Sequence, residues 1–417
     1  NLSHRNLIKS FVMIKRSAAV ANMKTKAINR KQGTAIVRAC DKILAGKYID
    51  QFVVDMINSG AGTAFNMNSN EVITNVALKG LGKKQGQYQF LHPNDHVNMS
   101  QSSNDTYPTA MHMAILFSFG EMLPAIDKLI KSINKKAKQF SKYKKLGRTH
   151  LMDALPVTLG SEFAAYATSL TNARNQIISS QKELEQVALG GTAVGTGANT
   201  PRGYRKIAII ELSKVSKLSL KPQKDMQYAL QSKFPVANAS SALKNFAIEL
   251  GKVANDIRLM ASGPIAGLAE LGIPAVHAGS SIMPGKVNPS LAECMNMICF
   301  SVIGNDTTVS FAAQAGQFEL NVMLPGMLKA ILDSTDMLTN FLPIFSANLI
   351  EGLTANQIRL RENIENSPVI VTLLTPKIGY LKSADLFKES LNTGKTIREL
   401  VISKKLMTDK EVSALLG

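Results

Sequence analysis

SEFAAYATSLTNARNQIISSQKELEQVA, residues 161–188, is the stretch on which the fold turns. It contains neither Gly nor Pro, and Phe163, Tyr166, Leu170, Ala173 and Ile177 recur at three- and four-residue spacing, one face of a long helix. Upstream, Ile126, Leu129, Ile130, Ile133, Ala137 and Phe140 repeat the same period. Downstream, a third stretch begins after Pro235 and runs through Ala242, Phe246, Leu250, Val253 and Ile257, with Gly251 its only Gly. Two more helices are expected at 290–309 and 327–349, and Leu7, Ile8, Phe11, Val12 and Ile14 open the chain on an amphipathic pattern. Long helices with Ala and Ser on their faces predict an all-α bundle that packs against other bundles, hence an oligomer. From about Pro376, short helical patterns broken at Gly379 and Gly394 read as a small α-helical cap.

The chain has 417 residues, which by a prior of roughly 150 per domain predicts two or three structural units. A hydrophobic content of 45% with 19% charged residues excludes a disordered or fibrous chain. No uninterrupted apolar run reaches the length of a membrane span, and the first residues carry no signal-peptide pattern, so a soluble protein is expected. The chain does not begin with Met, and a preceding segment is expected. Cys40, Cys294 and Cys299 lack CxxC spacing, which suggests neither a disulfide framework nor a zinc site and fits a reducing cytoplasm. The net charge of +18 is spread in pairs such as Lys83-Lys84 and Lys144-Lys145, with no aromatic residues interleaved and no Trp. We read it as a solvated basic surface, with neither nucleic acid nor membrane as partner.

Between the helices lie four polar islands, at 60–70, 94–109, 147–158 and 279–288. Loops carry function more often than helices do. Gly60 to Asn70 reads alone as a turn with the Thr63 hydroxyl and three amides. Ser100-Gln101-Ser102-Ser103-Asn104-Asp105 packs hydroxyls and an amide ahead of an expected helix start at Pro108; either Asp105 is an ordinary cap or the segment cradles an anion. Gly147-Arg148-Thr149-His150 supplies one of only six histidines. Gly279-Ser280-Ser281-Ile282-Met283-Pro284-Gly285-Lys286-Val287-Asn288 superficially has P-loop spacing, but five residues separate its glycines and Val287 stands where Ser or Thr must meet magnesium. What remains is a glycine-flanked loop of two hydroxyls, free N–H groups and one cation, suited to a carboxylate gaining negative charge.

These residues resemble the aspartase/fumarase superfamily over essentially the whole chain. GSSIMPGKVNP at 279–289 resembles its signature, and it occurs with SQSSND at 100–105, GRTH at 147–150 and GGTAVGTG at 190–197. The resemblance implies a three-domain all-α protomer: an N-terminal helical domain over 1–100, a central bundle over 101–350 carrying the loop 279–288, and a small C-terminal helical domain over 351–417. It implies that the long helices form the core of a homotetramer, whose active sites each draw on three subunits. It further implies anti elimination from a small dicarboxylate to give fumarate, with no metal or organic cofactor.

By the same resemblance Ser280 is the base, Lys286 and Asn288 hold the developing charge, and Thr63, Ser102, Ser103, Thr149 and Ser281 bind substrate carboxylates. Met283 joins them as a substrate contact, Asn104 and His150 stand near the leaving group, and Glu293 orients His150. A bland alternative makes Ser280 and Ser281 both carboxylate donors and His150 the base. Flanking segments at 50–55, 315–323 and 352–356 resemble the aspartase branch, whereas Ser103 stands where aspartases usually carry Thr, and Gln101 to Thr106 reads more like fumarase. Ser290-Leu291-Ala292 departs from both. Elimination of water from malate is therefore the alternative, and a catalytically silent structural member the remote one.

Overall fold

The computed structural model describes residues 3–276, 279 and 282–416. Fifteen helices dominate it. In chain order they are α1 (Arg5–Lys24), α2 (Arg30–Leu44), α3 (Thr63–Gly80), α4 (Ser103–Gln139), α5 (Leu159–Leu184), α6 (Tyr204–Ser216), α7 (Met226–Gln231), α8 (Phe234–Met260), α9 (Ser290–Gln314), α10 (Leu324–Asn348), α11 (Gln357–Asn366), α12 (Thr375–Ile378), α13 (Tyr380–Thr393), α14 (Ile397–Ser403) and α15 (Asp409–Leu416). The strands are β1 (Lys144–Thr149), β2 (Met152–Thr158), β3 (Gln186–Val187), β4 (Lys221–Pro222), β5 (Leu271–Gly272) and β6 (Thr354–Ala355), all in two-stranded pairs. The fold is all-α, as the periodicity predicts. Among the described residues no helix is long and apolar enough to cross a membrane.

The chain divides into two compact units. The first comprises Asn1–Ala125, Asn172–Ile248 and Ile298–Asn340; the second comprises Ile126–Thr171, Glu249–Met297 and Phe341–Gly417. In the first, Phe11, Phe65 and Tyr107 are fully buried, with Phe11 edge-on to Phe65 at 4.9 Å and to Tyr107 at 5.6 Å between ring centroids. In the second, Phe140 packs edge-on against Phe163 at 5.3 Å, and Leu146 of β1 joins Ile370, Leu374, Leu400 and Val401 in one apolar cluster. Both cores use the helical stripes read above.

Three departures from the sequence reading bear on the site. First, α4 starts at Ser103, five positions before Pro108, which lies inside the helix. Its start is set by a reciprocal cap: Ser102 Oγ accepts from Asn104 N at 3.2 Å while an Asp105 carboxylate oxygen accepts from Ser102 N at 3.0 Å. Second, α3 begins at Thr63, so Asn66 and Asn70 of the first island are buried on a helix instead of serving a turn. Third, the island at 147–158 is an antiparallel hairpin, β1 with β2, pairing Lys145 with Val157 and Thr149 with Met152. Its register shifts between Leu146 and Arg148, where a Cβ on Gly147 would lie 2.7 Å from the Leu155 carbonyl, so only glycine fits.

Candidate active site

In the first unit the structure brings two islands and the GGTAVGTG segment together. The Thr63 and Ser103 hydroxyls, at the N-termini of α3 and α4, lie 2.9 Å apart, and Thr63 Oγ1 donates to the Gly60 carbonyl at 2.6 Å. Gly62 must be glycine twice over. Its φ is +85°, and a Cβ there would sit 2.0 Å from the Tyr107 ring. Two helix N-termini side by side present the positive ends of two dipoles beside two hydroxyls, an arrangement that favours a carboxylate. Asn104 Nδ2 donates to the Ala193 carbonyl at 2.8 Å, tying α4 to the glycine-rich segment.

The residue that fixes this cluster was read from sequence only as an ordinary cap. Asp105 is fully buried; besides Ser102 N, its other carboxylate oxygen accepts from Gly190 N and Thr192 N, both at 2.9 Å. Burial pushes its carboxyl up to about 6, against those three amide hydrogen bonds and the charge of Lys15, which pull it down. Lys15 is itself fully buried on α1, donating to Asn66 Oδ1 at 2.7 Å and Asn98 Oδ1 at 2.8 Å, and burial lowers it to about 7. Its one sequence signal is a lysine four residues after Phe11 on the buried stripe.

In the second unit Thr149 ends β1 and His150 occupies the hairpin tip. His150 and Leu151 both adopt left-handed backbone, with φ of 56° and 61°. A two-residue turn of this kind normally holds Asn-Gly, because both residues must reach positive φ. For other residues such a conformation costs of order 1–3 kcal/mol each and persists only where surrounding structure enforces it. Lys286 and Met283 lie exposed in the signature loop, Asn288 is half-buried, and Glu293 sits in the first turn of α9. A Cβ on Gly279, whose φ is +81°, would meet the Lys286 carbonyl at 2.2 Å. Ser280 and Ser281 lie outside the described residues. Among the described residues Glu293 makes no hydrogen bond to His150, and no group of His, Cys, Asp and Glu is arranged to hold a metal ion.

The chain is similar to known proteins over nearly its whole length. Residues 2–304 match a family model described as lyase, and residues 370–417 match one described as the fumarase C C-terminus. An aspartate ammonia-lyase from a Bacillus species is 44% identical over 414 residues, 99% of this chain and 88% of the relative. Its Escherichia coli (strain K12) counterpart is 43% identical over 97% of this chain and 85% of the relative. Among solved structures, a fumarate lyase:delta crystallin from Brucella melitensis superposes with a TM-score of 0.96 at 42% identity, covering 99% of this chain and 89% of that one. A class II fumarase from Schistosoma mansoni gives a TM-score of 0.96 at 34% identity, covering 100% and 90%. With matches of this extent at both the sequence and the structural level, the chain belongs to the aspartase/fumarase superfamily of lyases.

Proposed function

We propose that this protein is an aspartate ammonia-lyase, converting L-aspartate to fumarate and ammonia. One observation carries the reading: curated relatives at 42–44% identity over nearly the whole chain are aspartate ammonia-lyases. Abstraction of the Cβ proton leaves its electron pair on the adjacent carboxylate, which becomes an aci-carboxylate; collapse expels the α-ammonium anti to the lost proton. Such a dianion needs fixed donors, and the paired Thr63 and Ser103 hydroxyls at two helix N-termini support a carboxylate site there, with Ser102 beside them. Thr149, Ser281, Met283, Lys286 and Asn288 complete the carboxylate contacts, Ser280 takes the proton, and Asn104 and His150 face the departing amine. Closure of the loop excludes water and activates the serine.

The proposed residues come from islands far apart in the chain, and among the described residues Glu293 makes no hydrogen bond to His150. That supports a homotetramer in which copies complete one another's sites. Phe300 and Phe311 support it as well: they stand on α9 with 62% and 64% of their surface exposed, eleven positions and so about three turns apart on one stripe, where a second copy would bury them. A cytoplasmic enzyme acting without a cofactor fits this reading. Water loss from malate is the second reading, favoured by Ser103 and by the likeness to a class II fumarase. Following fumarate absorbance from L-aspartate and from L-malate decides between them: turnover on aspartate alone is expected, and comparable or faster turnover on malate would move the assignment to fumarase. Neither substrate reacting would indicate a silent structural member.

A further inference from the structure

The hairpin that carries Thr149 and His150 is fastened by charge. Lys145 and Arg148, both on β1, converge on Glu270, whose side chain is entirely removed from solvent. Arg148 Nη2 donates to Glu270 Oε1 at 2.8 Å, Asn363 Nδ2 donates to the same oxygen at 3.2 Å, and Lys145 Nζ lies 2.8 Å from Oε2. Lys145 also donates to Glu162 at 2.9 Å. On the opposing strand Asp153, paired in register with Arg148, accepts from Ser367 Oγ at 2.7 Å. Both strands are thus pinned one residue short of the tip pair Thr149 and Met152, and the two residues beyond the pins hold left-handed backbone without a glycine. Beyond the pins the tip itself is exposed in the chain, Leu151 and Met152 having 73% and 70% of their surface in solvent.

We propose that Glu270, acting through Arg148, is a positioning residue that holds the Thr149–His150 tip in its left-handed turn. Its catalytic meaning rests on the ammonia-lyase reading; its geometry does not. Arg148→Met is the variant of choice, because it removes the guanidinium while leaving Glu270 paired with Lys145. Hydrogen exchange over residues 148–152 is expected to accelerate with protection elsewhere unchanged. The kcat on L-aspartate is expected to fall roughly 10- to 100-fold, the scale of a small misplacement of reacting groups, with a smaller change in KM. Arg148→Lys should restore much of the rate. In a His150→Ala background, Arg148→Met should cost less than it does in the wild type, because only Thr149 is left at the tip for it to misplace. Unchanged exchange at the tip would overturn the positioning role, and losses that add in the double variant would overturn its link to His150. If the wild-type enzyme makes no fumarate from L-aspartate, the functional reading fails while exchange still decides the positioning. Should the Met variant not assemble, the Lys variant must show tip exchange faster than wild type, and wild-type exchange there sinks the idea.

Discussion

Asp105 and Glu270 are both carboxylates removed from solvent, one behind each group of proposed site residues, yet the protein shifts them in opposite directions. Asp105 is held by three backbone amides, and burial raises it to about 6 in spite of them. For Glu270 burial also pushes upward, but the hydrogen bond from Arg148 and the charge of Lys145 outweigh it and hold the carboxyl below its usual range. Neutral donors position a carboxylate without fully compensating its charge, whereas two cations compensate it and make it dependent on both. The linkage signs differ accordingly. Asp105, with a raised folded value, contributes less as pH rises from about 4 to 6. Glu270, with a depressed one, contributes above the usual glutamate range and loses that contribution as pH falls through its folded value.

The sharpest way to break this comparison is Glu270→Ala, which leaves the buried Lys145 and the half-buried Arg148 without their shared counter-ion. A loss of about 3–5 kcal/mol is expected, measured by denaturant unfolding. A loss below about 1 kcal/mol would mean that the cations reach solvent and that the two regions are not different in kind. Next comes Asp105→Asn, where an amide must present N–H to one of the backbone N–H groups it now accepts. About 2–3 kcal/mol should be lost, along with fumarate production. The pH dependence should change with it, the variant losing the wild-type decline in stability between pH 4 and 6.

Lys15→Met sharpens the same side. A lysine lowered to about 7 binds fewer protons folded than unfolded, so wild-type stability gains from this group as pH rises from 7 toward 10. That gain, at most about 1.4 kcal/mol per pH unit for one proton, should vanish from the melting temperatures of the variant. The smallest effect is expected from Leu151→Gly. Relief of positive φ should raise stability by roughly 1 kcal/mol, offset in part by the freedom glycine adds to the unfolded chain. If the tip is as tightly held as we infer, kcat should fall only a few-fold.

Which parts of this were legible in the sequence follows from how local their causes are. The stripe of Phe163, Tyr166, Leu170, Ala173 and Ile177 was readable because helical burial repeats within one segment. The hairpin was not, because Thr149-His150-Leu151-Met152 lacks the Asn-Gly chemistry that announces a two-residue turn. Its shape is imposed by Glu270 and Ser367, far away in the chain. Asp105 was half legible: one oxygen does cap α4, as an acidic residue there suggests, but the other reaches Gly190 and Thr192. Pro108 does not mark the start of α4, because the cap made by Ser102 and Asp105 begins the helix five positions earlier. The proposed site residues themselves were nameable only through the motifs they share with the superfamily, since no single island holds enough groups to bind a dicarboxylate.

The clamp on the hairpin also orders events in time. Strands β1 and β2 are neighbours in sequence and can pair within microseconds, but Arg148 and Glu270 are 122 positions apart, and closing so long a loop is slow. A turn that depends on that closure takes its final form only after most of the second unit has condensed around it. Arg148 should therefore show a φ-value near zero, its truncation speeding unfolding while leaving the folding rate almost untouched. The backbone on which His150 sits would then be among the last pieces of the chain to become native, and among the first to be lost.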